Sequence, residues 1–461
     1  MENDKLVFML FKNFSQIIEN GQTPELKIVR KDVLDIFTAA VDAVDPYKAI
    51  KSKFDVKQII LNEKKFDLSV FKHIFLVGFG KASVGMADAV CDSINVKKGV
   101  IITNEKNPKT INKHVTTFIG GHPIPNQNSL IGTEKILEIT EGCNKNDLLI
   151  VLISGGGSSL LCKPRIDLKE LQETNDLLLK SGANIKEINT VRKHLSFVKG
   201  GQLVKHCKCK VVSLIISDIV GDPVEFIASG PTCSDSTTYI DAQNILKKYN
   251  LLEKMPSDVV KLLDDGAHGI IPETPKKDDT VFGRVFNFIV ANNQFACKAA
   301  VEKAKGLHYN TILLTTSLTG EARDVGRFLI DKALNYYNED CEDIAFVSGG
   351  ETTVTVKGNG KGGRNQEMVL GGIEVLAGSD MVFACMATDG IDGSSTASGA
   401  IADGYTMNKA NKKNLVQKKF LENNDSYEFF KELDDLLITG STGTNVMDIQ
   451  VLVKYSKDIT K

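Results

Sequence analysis

The chain has 461 residues, 42% of them hydrophobic, which is enough for a sizeable core and for two or three domains of ordinary size. Lysine and arginine number 56 against 58 acids; a net charge of −2 with no block of five like charges argues against nucleic acid or an anionic membrane surface as partner and favours a small molecule. Nine scattered cysteines (Cys91, Cys143, Cys162, Cys207, Cys209, Cys233, Cys297, Cys341, Cys385) form no CxxC pair, so free thiols in a reducing, cytoplasmic setting are expected.

The opening stretch MENDKLVFMLFKNF carries acids in its first four residues and neither a long apolar run nor an Arg/Ser-rich amphipathic pattern, so no targeting peptide is expected. No later apolar run reaches the roughly 18 residues of a membrane span. Short β-branched runs alternate with helix-period segments, the pattern of βαβ units, and the expected class is α/β. Strands are expected at HIFLVG (73–78), GVIIT (99–103), VTTFIG (115–120), DLLIVLI (147–153) and KVVSLIIS (210–217), with helices such as KASVGMADAVCDSI and LKELQETNDLLLKS between them. The order recurs at FNFIVAN (286–292), TILLTT (311–316), DIAFVS (343–348), TTVTVK (352–357), MVFACMAT (381–388), LLITG (436–440) and IQVLVKY (449–455). TTVTVK follows DIAFVSGGE so closely that a hairpin, and hence a mixed second sheet, is expected. Gly, Pro and charge break the rhythm in GAHGIIPETPKKDDTVFG (266–283), which places the domain boundary near residue 280.

Several turns carry residues suited to chemistry. GFGKAS (78–83) follows a strand and opens a helix: as G-x-G-x-x-S, with Gly80 and Ser83, it approximates a dinucleotide fingerprint with Glu105 as ribose ligand, whereas Lys81 offers an ammonium beside backbone donors, as phosphate sites do. GGHPIPN (120–126) fixes His122 between prolines. In LISGGGSSLL (152–161), Ser154, Gly155, Gly156, Gly157 and Ser158 form a tight turn; a helix starting at Ser158 would aim free N–H groups at an anion. VRKHLSFVKGGQL (191–203) clusters Arg192, Lys193, His194 and Lys199 on a helix; its plain reading is a solvated basic face, and Arg192 and Lys193 are candidates for binding substrate or nucleotide. HCKCK sets His206, Cys207 and Cys209 together, too few ligands at unsuitable spacing for zinc.

Acids occupy the complementary turns: Asp218 and Asp222 in SDIVGD, Glu351 in SGGE, and Asp389 and Asp392 in ATDGIDG. Carboxylates near a phosphate cradle are natural Mg²⁺ ligands, although most aspartates in such turns cap backbone amides. GNGKGGRNQE (358–367) brings Lys361, Arg364 and Asn365 before a helix, either as an anion site or as a mobile tip with solvated cations, and GSTGTNVMD (440–448) supplies Asn445.

Taken in order, GFGKAS, GGHPIPNQNS, ISGGGSSLL, VRKHLSFVKGGQL, SDIVGDPVEFIASGPT, GGETTVTVKGNGKGGRNQE, ATDGIDGSSTASGA and TGSTGTNVMD resemble the glycerate 2-kinase family, whose C-terminal part is the MOFRL domain, over nearly the whole chain. The resemblance implies ATP- and Mg²⁺-dependent phosphorylation of D-glycerate to 2-phosphoglycerate. It implies a Rossmann-like N-terminal domain (1–280, mainly parallel sheet) and a smaller C-terminal domain (281–461, mixed sheet, MOFRL region about 342–455), with the site in the cleft between them. Lys81 and Arg364 fall on the family's two best-supported catalytic positions. Asp218, Asp389 and Glu351 are candidates for Mg²⁺, and Asp218, Asp389 and His122 for the general base. Ser394 and Ser441 stand where proline is usual, which affects loop stiffness more than charge. Two rivals remain, an NAD(P)H-dependent hydroxypyruvate reductase and a non-catalytic binder of the same fold; a homodimer is an open option.

Overall fold

The computed structural model describes residues 10–108, 112–336 and 343–456, so most of the N-terminal stretch, Cys341 and the first residue of the expected MOFRL region lie outside the described residues. In chain order the strands are β1 (Phe54–Asp55), β2 (Gln58–Leu61), β3 (Lys64–Asp67), β4 (Ile74–Phe79), β5 (Lys98–Thr103), β6 (Val115–Ile119), β7 (Leu148–Ile153), β8 (Lys210–Ile216), β9 (Val285–Ala291), β10 (Asn310–Leu318), β11 (Ile344–Gly350), β12 (Met381–Ala387), β13 (Gly399–Asp403), β14 (Leu436–Leu437) and β15 (Asp448–Lys454). The chain divides into two compact units: Pro46–Val290, and the described parts of 1–45 with 291–461.

The first unit is built on a six-stranded sheet ordered β6-β5-β4-β7-β8-β9, in which the ladders from β6 to β8 are all parallel. Every residue of β7 is buried, as a strand covered on both faces must be, and its unbroken LLIVLI run serves that position. From β4 the chain steps outward to β5 and β6, then returns to the other side of β4 to lay down β7 and β8. The order therefore reverses between β4 and β7, and the turns GFGKAS and SGGGSS leave the carboxyl ends of those two strands, where open α/β sheets receive ligands. A small antiparallel sheet of β1, β2 and β3, not expected from the sequence, packs Phe66 edge-on against Phe286 and Phe288.

The second unit has a mixed sheet ordered β10-β11-β15-β12-β13-β14, parallel only between β10 and β11. The mixing does not come from the expected hairpin. TTVTVK forms no strand; the antiparallel neighbour of β11 is β15, about a hundred residues later, and Thr353 makes only an isolated bridge to Glu321. Thr353 and Thr355 alternate as a strand would, but the segment spends its amides on Gly320 and on the Glu321 carboxylate.

The units differ at both ends from the boundary expected near 280. FNFIVAN is β9, the edge of the first sheet, so 266–283 is a loop region inside the first unit. At the other end the helix Pro24–Asp42, capped by Thr23, belongs to the second unit. Its Arg30 is wholly buried and donates to Asp403 (2.6 and 2.9 Å), to Asp435 (2.7 Å) and to the Ile17 carbonyl (3.0 Å), and Lys409 also reaches Asp435 at 2.7 Å. Such a long-range ion cluster leaves no trace in local composition.

Replacing Arg30 with methionine leaves Asp403 buried without this cation and Asp435 with only Lys409. We expect a loss of about 3–5 kcal/mol, read as a lower midpoint in urea denaturation; an unchanged midpoint would show that the cluster does not hold the helix.

Candidate active site

In the first unit the two glycine turns are fastened to each other through their backbones. Lys81 N–H donates to the Gly155 carbonyl (2.9 Å), and the Ser154 hydroxyl oxygen accepts Ala82 N–H at 3.1 Å. The Ser83 hydroxyl donates to the Ile102 carbonyl, as does Gly80 N–H, which ties the first turn to β5. Ser83 and Ser154 are both buried and are engaged in building the turn.

Gly156 has φ +81°, and a Cβ there would lie 2.9 Å from His122 Cδ2 and 3.4 Å from Lys81 Cγ. A larger residue would be strained and would fill the space where these two side chains converge. Among the described residues the N–H groups of Gly155 and Gly156 meet no acceptor, and Lys81 has no ion-pair partner. Two open backbone donors, an unspent ammonium and an imidazole thus meet at one strand end, which suits anionic oxygens. Burial, and then the Lys81 charge, hold the His122 pKa below its ordinary value, so the imidazole is neutral near pH 7.

The helix expected from Ser158 is a single turn, Gly157–Leu160. Its support is Lys199, a buried side chain whose ammonium donates to the Ser158 carbonyl (2.6 Å) and the Leu161 carbonyl (2.9 Å). Burial pushes the Lys199 pKa down to about 8. The Ser158 hydroxyl lies 2.9 Å from that of Ser229, which belongs to a run, Ala228–Gly230, with φ of 50°, 63° and 61°. Two non-glycine residues held in the left-handed region against the turn are backbone strain of a kind that collects at functional sites.

The solvated basic face expected of VRKHLSF is overturned. The helix Ile185–His194 turns Lys193 fully inward, 3.1 Å from both Glu225 and Asp235, and His194 inward between the Thr190 carbonyl (2.7 Å) and Glu273 (3.4 Å). Arg192 donates to Asn175 at 2.6 Å. The Lys193 charge is matched within the unit by two acids, because a buried charge without a partner is expensive. Asp218 and Asp222 follow β8 and are half-buried. Cys207 and Cys209 are buried with sulfurs 3.4 Å apart, and among the described residues no three His, Cys, Asp or Glu side chains are placed to hold a metal.

In the second unit the chemistry gathers around Arg364, the first residue of the helix Arg364–Leu376. Its guanidinium grips Asp448 through one edge, Nε at 2.5 Å and Nη2 at 3.0 Å, and reaches Glu351 with Nη1 at 2.7 Å. Asp448 opens β15 opposite Gly350, so the sheet register itself sets it beside Glu351. Burial pushes the Asp448 carboxyl up in pKa, against the pull of Arg364. Sequence reasoning missed Asp448, although it ends the quoted stretch GSTGTNVMD; an aspartate at a strand start carries no local mark of facing an arginine.

Asp392 is a cap. Its carboxylate accepts the N–H groups of Asn365 (3.0 Å) and Gln366 (2.9 Å) and both side-chain amides, so it fills the helix N-terminus that a phosphate would otherwise use. Gly363 makes this approach feasible, since a Cβ there would fall 2.4 Å from Asp392. Burial lifts the Asp392 pKa to about 6 despite those N–H bonds. Asp389 is half-buried at the end of β12, with one carboxylate oxygen accepting Ile391 N–H (3.0 Å); Asn445 accepts Met447 N–H at 3.1 Å.

Nor is GNGKGGRNQE a free tip. Lys357 and Gly358 N–H donate to Asn424, Lys361 N–H donates to Asp425, and the Lys361 ammonium lies over the Tyr427 ring at 4.1 Å. Ser394 exchanges backbone and hydroxyl bonds with Gly362. A cavity of about 580 Å³ opens beside Arg364 and Glu351, between this loop and Gly393–Ser394.

Replacing Lys81 with methionine should raise the His122 pKa part of the way to its ordinary value, because the charge contribution goes and the burial stays; an imidazole NMR titration reads it, and an unmoved pKa would separate the two groups. Replacing Lys199 with methionine should cost about 1–3 kcal/mol by leaving two carbonyls without donors. Because folding lowers the Lys199 pKa, its pH-dependent stability is present above its ordinary value near 10.5 and is lost as pH falls through about 8. The stability gap between wild type and variant should therefore widen from pH 8 towards 10.5 in thermal melts, and a constant gap would contradict this.

Comparison with known proteins gives two family matches: a domain of unknown function, DUF4147, over residues 32–264, and the MOFRL family over residues 344–448. The glycerate 2-kinase of Pyrococcus horikoshii is 40% identical, with 93% of this chain and 98% of its own length aligned. A solved glycerate kinase structure from Thermotoga maritima superposes with a TM-score of 0.82 at 36% identity, covering 93% of this chain and 100% of that one. A protein of Agrobacterium vitis named as a putative hydroxypyruvate reductase is 36% identical, over 91% of this chain and 93% of its own. With relatives this similar over nearly its full length, the chain belongs to the glycerate kinase family.

Proposed function

We infer that the protein is a glycerate 2-kinase, transferring the γ-phosphoryl group of ATP to the 2-hydroxyl of D-glycerate to give 2-phosphoglycerate and ADP. The observation that carries the reading is the cation and open donors at the β4/β7 strand ends, Lys81 with the N–H groups of Gly155 and Gly156, in a chain that aligns almost end to end with a glycerate 2-kinase. Phosphoryl transfer needs little covalent help from a protein and much neutralisation of charge on the moving oxygens. Lys81 and the glycine turn supply that neutralisation, and the neutral imidazole of His122 can accept the proton the hydroxyl gives up as its oxygen bonds phosphorus and ADP leaves.

Arg364 has a narrower role than free phosphate binding. Asp448 is fully buried and balances one edge of the guanidinium, while the Glu351 side chain is 42% exposed and occupies the remaining edge. Glu351 stands where an anionic oxygen of a reactant would bind: a carboxylate or phosphoryl group can displace it while Asp448 keeps the guanidinium aligned. Mg²⁺ enters with ATP as the metal of the co-substrate. Asp389, whose second carboxylate oxygen has no partner among the described residues, would offer it a ligand within the second unit.

The reductase reading draws on the name of the Agrobacterium relative and on the strand order, with Glu105 exposed just after β5. Against it, the third fingerprint position is Ser83, whose hydroxyl is bound into the β5 backbone.

Purified protein supplied with ATP, Mg²⁺ and D-glycerate should yield ADP and 2-phosphoglycerate; 3-phosphoglycerate would contradict the position of attack, and NADH oxidation with hydroxypyruvate without phosphoryl transfer would favour the reductase. Arg364→Ala should lower turnover by about a hundredfold or more. It should also destabilise the second unit by uncovering Asp448, and Asp448→Asn in the same chain should restore stability without activity.

A further inference from the structure

We propose that the cavity beside Arg364 is the nucleoside pocket of the ATP site, with Arg364 at its phosphate end. The proposal rests on the kinase reading and names a place for the nucleoside of ATP. At about 580 Å³ the cavity is several times larger than a three-carbon acid requires and is of the size that takes a nucleoside.

Its walls differ along their length. Val354, Val356 and the glycines Gly360, Gly362, Gly363 and Gly393 line it; of its charged residues, Arg364 and Glu351 are paired with each other, while Glu367 is held by Arg323 and Asn424. A ligand matched to this has a flat, weakly polar body and an anionic tail. Val356 is 72% exposed, so its side chain is open to contact from a ligand in the cavity.

Thr352 supplies an independent sign. It is 3% exposed, it lines the cavity, and its hydroxyl has no hydrogen-bond partner among the described residues. A buried hydroxyl without a partner costs free energy, and a ligand hydroxyl or ring nitrogen would satisfy it. The slot is also preformed, since Glu321, Asn423, Asn424 and Asp425 hold the 353–361 backbone through their side chains or carbonyls.

The test uses the full chain and two variants. Val356→Glu places a carboxylate on the wall at an exposed position that the core does not use, and Thr352→Val removes the hydroxyl at constant shape. ADP binding, followed by calorimetry without glycerate, should weaken about tenfold or more in Val356→Glu and roughly three- to tenfold in Thr352→Val. KM for ATP should follow, and KM for D-glycerate should stay within about twofold. Unchanged ADP affinity in both variants, or a rise confined to the KM for glycerate, overturns the proposal and makes the cavity an acceptor pocket or an idle one. The kinase reading is read separately, by product formation in the unmodified protein. Product with unaltered ADP binding in the variants sinks only the pocket; ADP binding lost in Val356→Glu without any product in the unmodified protein sinks only the kinase; neither binding nor product sinks both.

Discussion

The buried carboxylate of Asp448 is the constraint around which the second unit is arranged. It opens the central strand of a mixed sheet with no access to water, so its charge survives only beside a cation. Arg364 supplies that cation from the first residue of a helix, and the bidentate contact fixes the angle at which the helix leaves the GNGKGG loop. Asp392 holds the first amides of the same helix, Gly363 lets it come close enough, and the loop before Gly363 is drawn down onto Asn424 and Asp425. Removing the carboxylate would free the arginine but also the loop. The pair is worth less as stability than as orientation, because hydrophobic residues of similar volume often match a buried ion pair in energy.

The first unit reaches a comparable end by different means. Its two glycine turns interlock through Lys81 N–H, the Gly155 carbonyl and the Ser154 hydroxyl, and what they present is mostly backbone. Side chains serve as props: Lys199 bonds the carbonyls of the one-turn helix, Ser159 bonds the Pro123 carbonyl of the His122 loop, and the strained Ala228–Gly230 run closes the far side. Backbone donors fixed by a rigid sheet need no reorganisation when charge develops on a ligand, which is the property phosphoryl transfer rewards.

Much of this was legible in the sequence. Unbroken apolar runs such as LLIVLI and VVSLII announced buried parallel strands, and the glycine turns after β4 and β7 could be placed at strand ends from the change in periodicity alone. What was hidden is long-range. TTVTVK has the alternation of a strand, yet Glu321 takes its amides, and β11 pairs instead with a segment about a hundred residues away. The helix Pro24–Asp42 joins the second unit through Arg30, whose acids lie at 403 and 435. Periodicity reports which face of a segment is apolar; it does not report which other segment is there to meet it.

The same limit governs the site, and it shows most clearly in the cations. Local sequence gives Lys81, Arg192, Lys193, Lys199, Lys361 and Arg364 no visible partners, since none of the groups that hold them is set by nearby spacing. Partners separate them. Lys193 is matched by Glu225 and Asp235, Arg192 by Asn175, Lys199 by two carbonyls, Lys361 by the Tyr427 ring, and Arg364 by Asp448 and Glu351. A cation whose hydrogen-bonding capacity is already taken up gains little from a substrate anion, because it must give up one partner to take another. Lys81 has no such debt among the described residues, and Arg364 can exchange only its solvent-facing partner. Lys81 and the solvent-facing edge of Arg364 are thus open to a further anion, whereas Lys193, Lys199 and Lys361 are held by partners within their own units.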